Sequence, residues 1–284
     1  MTEEFRNGEL ARGVRQGYLD WIESLWKQFE PYAPRDFPQN FRNDKQAYYS
    51  LTWEIFLASI LLDNGFVIDK LRSSDAPDLC VLDDNGNNVW FECYYATRGQ
   101  KLPRLPTISE NNGMFSQVTQ KHSDKNLLRV TMNLDGKKQQ HLNWLNKDIC
   151  KINEPYVIAI NGRDLDLHMY HNNLPDAARA VYPMGEPVGY FYPDDRPFEI
   201  DYPRVDFIKG PKGGPVSKTF FLDQKNSHIS GILFSKDWWG YGTTAPKNVY
   251  IPNIYADNPC TLDLSNFAQI INGGRDPDYI STYE

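Results

Sequence analysis

APDLCVLDDNGNNVWFECYY, Ala76 to Tyr95, decides how this chain is read. Two apolar runs, DLCVLD and VWFECYYA, flank DDNGNN, and Asn-Gly between such runs is the strongest short-range signal for a β-hairpin. Pro77 suits a strand entry because its φ is fixed and it has no N–H to offer a ladder. Along the second strand side chains alternate, so Val89, Phe91 and Cys93 point one way and Trp90, Glu92 and Tyr94 the other. Glu92 thus shares a face with two aromatics, where an unpaired negative charge is costly. Asp78, at the entry to the first strand, is in reach of it across the hairpin.

The flanking sequence supplies helices. In NDKQAYYSLTWEIFLASILLDNGF, Tyr49, Trp53, Phe56, Leu57 and Ile60 form one apolar stripe, Asn43 or Asp44 can cap the start, and Gly65 stops the helix. Glu54 sits at the margin of that stripe, near Leu57 and Leu61 by helical angle rather than on the polar back, and is a third candidate carboxylate. Upstream, residues 14–29 have helical spacing and EPYAPRDFPQNF ends them. Downstream, DGKKQQHLNWLNKDICKI is helical, with Lys137 or Lys138 at its start and Lys137 and Gln140 on one face. PYVIAIN follows as a fully buried strand. Residues 172–215, dense in Pro, Gly, Asp and Tyr, favour long loops or short hairpins over helices, and ISGILFS and NVYIPNIYA are later strands.

Composition narrows the class. The chain has 284 residues with a net charge of −7, which disfavours bulk-charge coating of nucleic acid and leaves room for a local basic groove. No apolar run is long enough to span a bilayer and the N-terminus is polar and charged, so the expectation is a soluble, cytoplasmic protein with no membrane partner. Cys80, Cys93, Cys150 and Cys260 form no CxxC pair and read as reduced core residues. His168 and His171, the Trp-rich DWWGYG and the glycines of KGPKGGP match no metal site or phosphate loop and read as ordinary loop features.

Taken singly, Glu54, Asp78 and Glu92 each read as a surface or salt-bridged carboxylate. Together, a helix with Glu, then Pro77-Asp78, then a hydrophobic strand carrying FECY, then a helix and strand resembles the PD-(D/E)xK, or restriction-endonuclease-like, nuclease family over about residues 42–162. The resemblance implies an α/β fold with a mixed central sheet flanked by helices, here with a large loop-rich C-terminal part. Its parts would be an N-terminal helical segment (1–41), a nuclease-like core (42–165) and an extension completing the same domain (166–284).

The same resemblance implies Mg²⁺ or Mn²⁺ on Asp78, Glu92 and the backbone carbonyl of Cys93, with Glu54 assisting through a water, and a nucleic-acid substrate. Its motif lysine falls at Tyr94, a neutral phenol, so Lys137 is the expected substitute, with Lys121 and Lys101 as weaker ones. Two readings follow. One is a metal-dependent nuclease acting through Glu54, Asp78, Glu92 and Lys137. The other is a nuclease-fold module that has lost catalysis and serves for binding or as a scaffold, the loop-rich second half giving the recognition surface and any partner protein being unknown.

Overall fold

A computed structural model describes residues 16–43, 45–70, 75–96, 120–165, 174–186, 188–190, 199–236, 248–273 and 280–282. Its centre is a mixed sheet in the order β1 (Val67–Asp69), β2 (Leu79–Leu82), β3 (Asn88–Tyr95), β4 (Tyr156–Asn161), β9 (Gly231–Ser235), β10 (Asn248–Pro252) and β11 (Ala268–Gly273), with β12 (Ile280–Thr282) added beyond β11. The first three strands are antiparallel, and β3, β4 and β9 run parallel. The later strands ISGILFS and NVYIPNIYA thus extend the sheet past β4 rather than forming a separate layer.

The hairpin turn is built as its sequence requires. Gly86 adopts φ +77, and Asp83 accepts from the Asn85 and Asn87 N–H groups. The register pairs Leu79 with Phe91 and Cys80 with Trp90.

Helices cover both faces. On one, α1 (Gln16–Phe29), α2 (Phe37–Asn43) and α3 (Lys45–Asp63) pack against Leu79, Val81, Phe91 and Cys93 of the sheet. Trp53, Leu57 and Leu61 are fully buried there, and each such side chain contributes roughly 1.5–3 kcal/mol of hydrophobic stabilisation. The Trp53 indole N–H also donates to the Ala159 carbonyl at 2.9 Å, tying α3 to β4. Gly65, at φ +83, terminates α3; its proposed cap Asp44 lies outside the described residues.

On the other face, α4 (Gln120–Asn146) lays Leu127, Val130, Leu134 and Trp144 over Trp90, Tyr156 and Ile158. Here the structure corrects the sequence reading. The helix begins at Gln120, so Lys137 lies in its interior and not at its start. The early turns contain Ser, Asn and Thr, weak helix formers that burial of Leu127, Leu128 and Val130 overrides. A second correction is α5 (Asp176–Val181), a short helix in the Pro-rich stretch read as loops and hairpins. Ala177, Ala178, Ala180 and Val181 are fully buried and hold it in place. Two short hairpins do occur there, β5–β6 (Val188–Tyr190, Glu199–Asp201) and β7–β8 (Phe207–Lys209, Pro215–Ser217). KGPKGGP is the β7–β8 turn, with Gly213 at φ +85. The cysteines are free thiols.

Among the described residues no helix is long and apolar enough to cross a membrane. His168, His171, DWWGYG and Lys101 lie outside the described residues.

Candidate functional site

The β2–β3 ladder stops at Leu79–Phe91 because Pro77 offers no N–H to continue it. Carried one residue further, the same register sets Asp78 opposite Glu92, and cross-strand partners share a face. The Asp78 side chain takes over where the ladder ends: its Oδ2 accepts the Cys93 N–H at 2.7 Å. A strand residue's N–H and C=O point to the same side, so the Cys93 carbonyl opens into the same gap between the parting strands.

Glu92 is 3% exposed and faces α4. Lys137, in the middle of that helix, donates from Nζ to Glu92 Oε1 and to Gln140 Oε1, the latter at 3.3 Å. Glu92 Oε2 is buried with no protein partner among the described residues. Glu54 is 4% exposed, and the charges acting on it are those of Asp78 and Glu92. Asp78, Glu92 and Lys137 therefore come together, two carboxylates beside one ammonium, and Glu54 lies near enough for the charges of Asp78 and Glu92 to act on it. For Lys121 no side-chain position is described.

Protonation follows from crowding. Burial, then Asp78 and Glu92, hold Glu54 well above its ordinary pKa. Burial and Asp78 push Glu92 up to about 8 in spite of Lys137. Burial also raises Asp78, against Lys137 and the Cys93 N–H, which lower it. Burial works against the Lys137 ammonium as well, but Glu92 and Asp78 outweigh it and raise its pKa. The partners of the ion pair point in opposite directions, Lys137 to a charged pair and Glu92 to a protonated one. Lys137 keeps its charge because Glu92 and Asp78 outweigh its burial, while Glu92, crowded by Asp78, takes up a proton more readily than an ordinary carboxylate.

These oxygens suit a hard divalent cation. Two carboxylates, one of them with an unpartnered buried oxygen at Glu92 Oε2, and one backbone carbonyl are donors of the kind Mg²⁺ takes, with water completing its shell. No group of three or more His, Cys, Asp or Glu side chains among the described residues is disposed to hold a metal ion, and a site of two carboxylates and a carbonyl needs no such group.

Sequence reasoning missed two neighbours. Arg129, two turns before Lys137 on α4, is 3% exposed, and its positive charge acts on Tyr94. Tyr156, the first residue of β4, is fully buried on the Glu92 face, and the first charges acting on its hydroxyl are Glu92 and Asp78. A tyrosine inside the run PYVIAIN was the available signal for the second; Arg129 had none, because its helix was not recognised that far upstream.

Compared with protein-family profiles, curated proteins and solved structures, the chain matches none. What is established is the coarse class, a mixed α/β sheet flanked by helices.

Proposed function

We propose that this chain has a restriction-endonuclease-like core and hydrolyses phosphodiesters in nucleic acid with Mg²⁺ or Mn²⁺. The observation that carries the reading is the bond from Lys137 to Glu92: a lysine on α4 brings its charge to the carboxylate beside which the strand has Tyr94 in place of the motif lysine. Asp78, Glu92 and the Cys93 carbonyl would hold the ion. When bound, such an ion lowers the pKa of a water and polarises a phosphoryl oxygen. Lys137 steadies the negative charge that develops on phosphorus-bound oxygen. Glu54, carrying its proton, donates a hydrogen bond to a water at the edge of the cluster. Burial holds Tyr94 up at about 12, so it stays neutral and cannot supply a countercharge.

That neutral phenol also favours a second reading, a nuclease-like fold retained for binding without catalysis. The two separate in one experiment: incubation of purified protein with plasmid, linear and single-stranded DNA, with Mg²⁺, Mn²⁺ or chelator. Metal-dependent cleavage lost in Glu92→Ala supports the enzyme. No cleavage of any substrate by the wild type supports the binding module.

A further inference from the structure

One flank of α4 carries cations without acids. Lys125, Arg129, Asn133, Lys137, Gln140 and Lys147 follow one another at three, four or seven residues, so they share one side of the helix, Lys147 lying in the turn that closes it. The acidic residues of the helix, Asp124 and Asp135, fall on the opposite flank. The chain as a whole carries −7, so this flank runs against the sign of the molecule. At 1.5 Å per residue it extends about 33 Å from Lys125 to Lys147.

These side chains are within reach of a ligand. Lys147 is exposed, and Lys125, Lys137 and Gln140 are half-buried. Neither Lys125 nor Lys147 forms an ion pair among the described residues. Lys137 stands between them, and its bond to Glu92 puts the carboxylate site beside the middle of the stripe. That lysine also orients Gln140: an ammonium only donates, so the amide oxygen faces Lys137 and the amide NH₂ is left as a donor. Arg129, at 3% exposure, adds its charge from beneath rather than by contact.

We propose that this flank of α4 is the track on which a nucleic-acid backbone lies, with phosphates on Lys125 and Lys147 to either side of the site at Glu92. The class of partner rests on the nuclease reading, which places a phosphodiester at Glu92; the stripe of cations does not depend on it. About 33 Å is close to one turn of duplex DNA, roughly 34–36 Å. Cationic side chains on phosphates supply the binding that ignores base sequence, and Lys, Asn and Gln donors hold a backbone in register without reading bases. The track therefore gives affinity and position, and no sequence preference.

Fluorescence anisotropy of labelled duplex and single-stranded oligonucleotides tests it, with chelator present to stop cleavage and salt varied in steps. Each phosphate contact contributes about 0.9 to the slope of log affinity against log salt on duplex and about 0.7 on a single strand. Lys125→Gln and Lys147→Gln should each lower the slope by about that amount, and the oligonucleotide on which the drop appears is the form that lies on the track. Glutamine keeps the helix propensity of lysine, so both variants fold. Lys138→Gln, the same charge change on the opposite flank, should leave the slope as in wild type. Equal slopes in all four proteins, a wild type that binds neither oligonucleotide, or displacement by polyglutamate as effective as by unlabelled oligonucleotide, overturn the track. A chain that cleaves with Mg²⁺ yet shows equal slopes loses the track and keeps the nuclease reading. One that binds through these lysines and cleaves nothing keeps the track and loses the nuclease.

Discussion

Lys137 and Glu92 are 45 residues apart in sequence, yet the lysine ammonium is bonded to the glutamate carboxylate. One lies in the middle of α4 and the other in β3, so the bond fixes how the long helix sits over the sheet. The Glu92 side chain is 3% exposed and that of Lys137 21%, which places the charge of the pair largely inside the protein. Removing one partner of such a pair leaves the other buried and uncompensated. Lys137→Met should therefore destabilise the fold by on the order of 1–3 kcal/mol in urea unfolding, and more at pH 9 than at pH 6. At the lower pH Glu92 relieves itself by binding a proton. An equal loss at both pH values would show that Glu92 is not the group left exposed to the change.

Glu92 alone gives a pH dependence whose sign is fixed. Burial and Asp78 raise it from 4.5 to about 8 in the folded chain, while the unfolded chain keeps the ordinary value. Between those pH values the folded state holds a proton that the unfolded state has released, so stability falls as pH rises through this window. Glu92→Gln cannot ionise and should flatten that slope, making the variant more stable than wild type at pH 8. Chemical denaturation at intervals from pH 4.5 to 8.5 measures it. A wild-type curve that rises across the window would contradict the assignment.

A divalent cation should reverse the crowding that raises these groups. Mg²⁺ or Mn²⁺ bound at Asp78 and Glu92 favours the ionised forms, so binding should release protons near pH 7 and raise the melting temperature. Calorimetric titration in buffers of differing ionisation enthalpy counts the protons. Glu92→Gln should show a smaller thermal increment and a weaker buffer dependence. Identical metal responses in both proteins would remove Glu92 from the ligand set.

Much of this arrangement was legible because β-structure writes its register into nearby sequence. The Asn-Gly turn fixes which residues of β2 and β3 face each other, and alternation fixes the side of Glu92. Gly65 at φ +83 and the all-buried β4 were equally readable. The first half of α4 was not. Its Ser, Asn and Thr residues suggest a loop locally, and only the sheet beneath, completed by strands far along the chain, makes a helix there favourable. The short α5 escaped for the same reason, since its alanines gain stability from burial against α4 rather than from their own pattern.

Anchoring of α3 is a separate, structural determinant of the site. The Trp53 indole precedes Glu54 in sequence and donates to the Ala159 carbonyl at 2.9 Å, so it sets where Glu54 stands. Trp53→Phe removes the hydrogen bond and leaves most of the packing, and should cost about 1–2 kcal/mol in urea unfolding. Trp53→Ala adds a cavity and should cost roughly 3–5 kcal/mol. A neutral Trp53→Phe would show that packing alone fixes the helix.

The strand position two residues beyond Glu92 supplies the last prediction. There Tyr94 is neutral, and the ammonium that reaches Glu92 comes from Lys137 on α4. Phosphodiester hydrolysis concentrates negative charge on the phosphate oxygens in the transition state, and a positioned cation that meets that charge only there acts on turnover rather than on ground-state binding. If the chain cleaves, Lys137→Ala should lower kcat by on the order of a hundredfold and leave the Mg²⁺ affinity nearly unchanged. Tyr94→Lys in that background puts an ammonium back beside Glu92 from the strand, and should recover part of the loss. Single-turnover cleavage of a labelled duplex, with metal affinity followed separately by calorimetry, distinguishes the effects. A Lys137→Ala protein that keeps full turnover would show that the charge comes from elsewhere. Absence of cleavage in both the wild type and Tyr94→Lys, with Mg²⁺ and with Mn²⁺, would leave the binding module as the function of this fold.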